Sequence, residues 1–85
     1  MIVTFYILAS GVRHMVKIAD PARMSLNHLA NLCQTKWNLN GTPLFFSLAI
    51  GHFLDENMPL SRLDLAEGDV IVIAPIQAEL VWHSF

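Results

Sequence analysis

The residues best equipped for chemistry in this chain are one cysteine, four histidines and seven carboxylates, and their spacing argues against a reaction centre. A catalytic thiol needs a nearby cation or a helix N-terminus to lower its pKa. Cys33 falls late in a helical pattern, on its apolar side, where the helix dipole disfavours a thiolate. It reads as a core side chain. His14, His28, His52 and His83 include no pair at metal-ligand spacing, and neither Cys-x-x-Cys nor His-Glu-x-x-His occurs. Asp20, Asp55, Glu56, Asp64, Glu67, Asp69 and Glu79 each fall in a turn or in the tail. Asp at such places commonly bonds its own backbone, so no carboxylate pair is set up for acid–base work. Ser10, Ser25, Ser47, Ser61 and Ser84 lack a Gly-x-Ser-x-Gly frame, and glycine-rich phosphate loops are absent. The expectation is no enzyme, with no catalytic, metal or cofactor-binding residue.

The elements that would position any site are short. Residues 1–10 (MIVTFYILAS) carry the β-branched and aromatic types of a strand, Gly11 marks a turn, and residues 14–19 (HMVKIA) pair back as a hairpin. Asp20-Pro21 breaks that strand. Ser25 is a good helix N-cap, followed by Leu26, Leu29, Leu32 or Cys33, and Trp37 at helical spacing. One helix is expected over about 24–37, ended by the turn chemistry of Asn38 to Pro43. Residues 44–50 (LFFSLAI) form a third strand, and a short strand at 52–54 follows Gly51. Leu60 to Leu65 make a helical turn, and Glu67-Gly68-Asp69 a tight turn before Val70 to Ala74 (VIVIA). That last run is apolar on both sides, as a central strand requires, with the first strand as its parallel neighbour. The fold class is α+β, with the order ββαββ(β): a mixed four- to five-stranded sheet with one helix packed on one face. Residues 1–75 form one domain and 76–85 a C-terminal tail.

Composition bounds the function. Hydrophobic residues make up 54% of the 85 and charged residues 14%, against about 45–50% and about 25% in ordinary domains. This is more apolar surface than a small monomer hides, and it points to a partner, a second copy or a membrane. The formal net charge is −2, and Arg13, Lys17, Arg23, Lys36 and Arg62 are scattered, so nucleic acid is not the expected partner. No apolar stretch reaches the roughly 18–20 residues of a membrane span. The N-terminus lacks a signal-peptide layout, and the lone cysteine excludes an internal disulfide. A cytoplasmic location is expected.

The stretch Leu60-Ser61-Arg62-Leu63-Asp64-Leu65 followed by Glu67-Gly68-Asp69-Val70-Ile71-Val72-Ile73, with a helix opening Ser25-Leu26 and carrying Leu29 and Cys33, resembles the ubiquitin-like β-grasp superfamily over residues 1–74. The Gly-Asp turn before the last strand is most similar to the bacterial YukD-like branch, small unconjugated relatives linked to type VII secretion. Conjugated members and sulfur carriers end in Gly-Gly, whereas here the last strand runs into Ala74-Pro75 and on to Val81-Trp82-His83-Ser84-Phe85. The resemblance therefore implies fold and binding style rather than conjugation. It implies a protein–protein interaction module, a small subunit or adaptor of a larger intracellular assembly. The alternatives are an accessory subunit of a multicomponent enzyme such as an oxygenase, or a carrier processed to a terminal glycine.

Strand alternation assigns the surface. With Met1, Val3, Phe5 and Ile7 toward the helix, Ile2, Thr4, Tyr6 and Leu8 point away. Val70 and Val72 are expected inward, with Ile71 and Ile73 outward. Leu44, Phe46 and Leu48 form the bulkier set of the third strand, against Phe45, Ser47 and Ala49. The expected partner-binding set is Tyr6, Met15, Phe45, Ala49, Ile71 and Ile73 on the outer face, with Leu80, Trp82 and Phe85 from the tail. A one-residue slip of the third strand exchanges Phe45 for Phe46. The tail alternates apolar and polar residues and is expected to be ordered by pairing with a sheet edge or by a partner. The occupant of the outer face is left open between a partner protein, a second copy and the tail itself.

Overall fold

The computed structural model describes residues 1–37, 39 and 43–75. Strand β1 (Ile2–Ile7) turns through residues 8–11 into β2 (Val12–Lys17), helix α1 (Leu26–Cys33) follows, then β3 (Pro43–Ser47), the two-residue β4 (His52–Phe53) and β5 (Val70–Pro75). The strands form one mixed sheet in the order β2-β1-β5-β3-β4. β5 is the central strand, parallel to β1 and antiparallel to β3. One helix against a five-stranded sheet in the order ββαββ(β) is a β-grasp-like arrangement, as the pattern of residues predicts.

Each element has a local cause. β1 alternates, burying Val3, Phe5 and Ile7 and leaving Ile2, Thr4 and Tyr6 on the other side. Gly11 closes the first hairpin at φ +73°, a left-handed conformation that side chains rarely adopt. The Ser25 hydroxyl accepts the His28 backbone N–H at 3.1 Å and caps α1. The neighbouring free amide of Asn27 donates to the Glu56 carbonyl at 2.9 Å, so the 55–61 loop straps the helix start. Leu60, in a 3-10 turn at Leu60–Arg62, is fully buried beneath that strap.

The helix is shorter than its apolar spacing predicts. Regular helix covers 26–33 of the expected 24–37. Beyond it the Leu39 N–H reaches back five residues to the Gln34 carbonyl, the widened turn of many helix ends. That turn still delivers Trp37 to the core, 5.3 Å from the Phe5 ring and stacked on His14 at 4.9 Å. Cys33 is half-buried against the same core. Leu32, its alternative in the helical pattern, is exposed.

The core lies between α1 and the inner side of the sheet: Val3, Phe5, Ile7, Leu26, Leu29, Trp37, Phe45, Leu60, Ile71 and Ile73 are all buried. Three of these correct the face assignment above. Phe45, Ile71 and Ile73, expected on the outer face, point to the helix, and Val70 and Val72 point away. The parallel register causes this. Phe5 stands opposite Ile71 and Ile7 opposite Ile73, and paired residues share a face. β5 pairs in turn Ile73 with Phe45 and Ile71 with Ser47, so the third strand is shifted by one residue as well. No helix among the described residues is long and apolar enough to cross a membrane.

Candidate functional site

The outer face is built as two rows that run across the sheet. In the first, Arg13, Tyr6, Val72, Phe46 and Phe53 stand opposite one another from β2 through to β4. The Arg13 guanidinium lies 5.7 Å from the Tyr6 ring centre, and Phe46 and Phe53 meet edge to face at 5.2 Å. In the second row Met15, Thr4 and Val70 are paired. Leu48 joins it by donating its N–H to the Val70 carbonyl at 3.0 Å. Between the rows lies an open depression of about 640 Å³ lined by Thr4, Tyr6, Arg13, Met15, Leu48, Val70 and Val72. Met15 is 76% exposed, and Leu48 and Phe53 each 58%. Lys17 shares the outer side of β2 with Arg13 and Met15, so cations flank one edge of an apolar surface.

The loops that frame this surface are fixed by a buried polar pair. The Ser47 hydroxyl donates to Asp69 Oδ2 at 2.6 Å, Asp69 Oδ1 accepts the Ala49 N–H at 3.2 Å, and the Ile50 N–H donates to Ser47 Oγ at 3.1 Å. The β3–β4 turn, which carries Leu48, is thereby tied to the start of β5. On the other side of that start, the Gly68 N–H donates to the Ile2 carbonyl at 2.7 Å and the Ile2 N–H to the Glu67 carboxylate at 2.8 Å.

Of the residues expected to bind a partner, Tyr6 and Met15 are on the outer face. Ala49 is an exposed residue of the β3–β4 turn, tied to Asp69 through its backbone. Phe45, Ile71 and Ile73 belong to the core, and Leu80, Trp82 and Phe85 lie outside the described residues. The face gains Val70, Val72, Phe46, Leu48, Phe53 and Arg13 instead. β5 is apolar on both sides, so its alternation carries no sign. The signal that could have oriented it is the parity of β1, transmitted through the parallel pairing.

The other groups with chemical potential are dispersed. His14 stacks on Trp37 on the inner side, His28 is exposed in the first turn of α1, and His52 is exposed with Nδ1 2.8 Å from the Phe53 carbonyl oxygen. His83 lies outside the described residues. Among the described residues no group of three or more His, Cys, Asp or Glu could hold a metal ion. A smaller depression of about 310 Å³ gathers His52, Asp55, Met58, Arg62 and Asp64 at the β4 end. Its side chains are mostly exposed, and none of the described hydrogen bonds joins His52, Asp55, Arg62 and Asp64 by their side chains.

A scan of the chain against protein-family models finds no match, and a search of curated proteins finds no similar sequence.

Proposed function

We propose that this chain is a non-enzymatic, ubiquitin-like protein–protein interaction module that serves as a small subunit or adaptor and docks through the outer face of its sheet. The observation that carries this reading is the continuous apolar row Tyr6–Val72–Phe46–Phe53 across that face, with Met15 and Leu48 exposed beside it. A face of this kind, unneeded for the core, ordinarily has an occupant. Its centre is apolar and aromatic and its charge sits at the rim, the anatomy of a docking surface. The strand order and the Leu60–Asp69 pattern support placing the chain in the ubiquitin-like superfamily, and the Gly68-Asp69 turn supports the type VII secretion branch.

The test is charge placed on the face. Val72→Asp and Met15→Asp leave the inner side untouched. Native mass spectrometry of the protein purified from its host is expected to show a stoichiometric complex for the wild type and its loss in both variants, with amide spectra that remain dispersed. Equal assembly in wild type and variants would sink the proposal.

A further inference from the structure

We infer that the open edge of β2 pairs with an extended segment of a partner protein, one that carries acidic residues opposite Arg13 and Lys17 and an apolar residue opposite Met15. This goes beyond the reading of the outer face, because it concerns the rim of the sheet and stands whether or not the face has an occupant.

The two edges of the sheet differ. β4 closes one side with only two residues, and its Phe53 carbonyl oxygen lies 2.8 Å from His52 Nδ1. So short an edge is a poor template for pairing. β2 forms the other edge with six residues. Among the described residues only β1 pairs with it.

The backbone parity of β1 shows which groups of β2 face outward. Thr4 and, just beyond the strand, Leu8 donate their N–H groups to the Asp69 and Ile73 carbonyls, and the Ile2 carbonyl accepts the Gly68 N–H. Even-numbered residues thus turn their backbone groups toward β5, and odd-numbered ones toward β2. The odd set begins with Met1, which exchanges hydrogen bonds with Ile18 at 2.7 and 3.2 Å. Val3, Phe5 and Ile7 follow, opposite Val16, His14 and Val12. The N–H and C=O groups of Arg13, Met15 and Lys17 therefore point away from β1, and no described hydrogen bond takes them elsewhere. Such a row at a sheet edge is a template for an added strand.

The side chains on that row name the chemistry of the strand. Arg13, Met15 and Lys17 are exposed and share the outer side. The described ion pair is Arg23 with Asp20, so neither Arg13 nor Lys17 has a carboxylate partner among the described residues. Residues directly opposite in an added strand share a side, where opposite charges stabilise and like charges destabilise. A second copy pairing β2 with β2 about Met15, the register that uses the whole row, sets Arg13 against Lys17 twice. The edge thus disfavours its own copy and favours a strand of the pattern acidic-x-apolar-x-acidic. The x positions fall on the helix side, beside the half-buried His14 and Val16, where apolar side chains fit.

The probe is the synthetic peptide Gly-Ser-Glu-Val-Leu-Val-Glu-Ser-Gly, which reads the same in both strand directions, titrated into the isotope-labelled full chain. The control peptide carries Lys for both Glu. The Glu peptide is expected to move the Arg13, Met15 and Lys17 amide signals downfield and to slow their hydrogen exchange. It is expected to bind about tenfold more tightly than the Lys peptide, since two opposite-charge pairs become two like-charge pairs. Met15→Pro removes an N–H that the β1 ladder does not use, and is expected to abolish binding in a chain whose spectrum stays dispersed. Arg13→Glu combined with Lys17→Glu is expected to reverse the preference to the Lys peptide, a readout that holds even where the proline variant fails to fold. Equal binding of the two peptides by the wild type, or no binding, overturns the inference. Slow exchange of all three amides in the chain without peptide overturns it as well, because the edge is then already paired. Shifts gathered on Val72, Phe46 and Phe53 instead assign the peptide to the outer face and also overturn it. Failure of the outer-face reading shows separately, as a native complex that survives Val72→Asp.

Discussion

Ser47 donates its hydroxyl proton to the Asp69 carboxylate at 2.6 Å, and both side chains are buried, although β3 and the turn before β5 are 22 residues apart. A charged acceptor placed inside a small apolar domain is tolerated when its hydrogen bonds are made. Here they come from Ser47 and from the Ala49 N–H. Ser47→Ala leaves one carboxylate oxygen without its donor. The expected loss is about 1.5–3 kcal/mol, read as a lower urea midpoint at unchanged slope. Val72→Asp, on the outer face, is the control that leaves this pair intact.

Ile71 and Val72 are adjacent and both aliphatic, but they face opposite ways. Ile71 is fully buried between Phe5 and Ser47, and Val72 lines the outer depression. Ile71→Ala is expected to cost about 2–5 kcal/mol, the range for truncating a buried aliphatic side chain. Val72→Ala is expected to cost well under half as much. Equal costs in parallel denaturation curves would reject the register described above.

These two residues also mark how far the sequence could be read. The order of elements along the chain, the Ser25 cap and the turns at Gly11 and Gly68 follow from local chemistry that a single sequence displays, and the doubly apolar run Val70–Ala74 marks a central strand. β1 could be oriented because Thr4 and Tyr6 interrupt its apolar run on one side. The run Val70–Ile73 has no such interruption, and hydrophobicity cannot choose between its faces. The choice is made by a contact 66 residues distant, Thr4 with Val70, and by Asp69 reaching Ser47. Sequence spacing shows neither. For the same reason Phe45 and Phe46 exchanged roles in the expected interaction surface.

Gly51 ends the β3–β4 turn at φ +85°, and a Cβ added there meets nothing within 4 Å. Substitution therefore isolates backbone strain from steric clash. Gly51→Ala is expected to destabilise by about 1–2 kcal/mol, and Gly51→Asn by less, because Asn visits left-handed backbone more readily. Thermal unfolding of the three proteins gives the ranking, and Ala at or above Asn would contradict it.

Ser25 caps a helix of only eight residues, so one cap is a large share of its local stability. Ser25→Ala is expected to cost about 1 kcal/mol, and Ser25→Asp to retain most of the effect. Hydrogen exchange at the His28 amide, the group that the hydroxyl holds, should accelerate in the Ala variant and remain protected in the Asp variant.

The parallel β1–β5 pair sets a timetable for biosynthesis. Thr4 waits for Val70, and at about 5–20 residues per second their synthesis is separated by roughly 3–13 s. Over that interval Phe5 and Ile7 can meet β2 and the helix but lack the strand that closes the core. A nascent chain halted before residue 70 holds a hairpin, a helix and β3 with the middle of the sheet missing. It presents β1 and β3 as open edges, each with a row of backbone groups that β5 would otherwise pair.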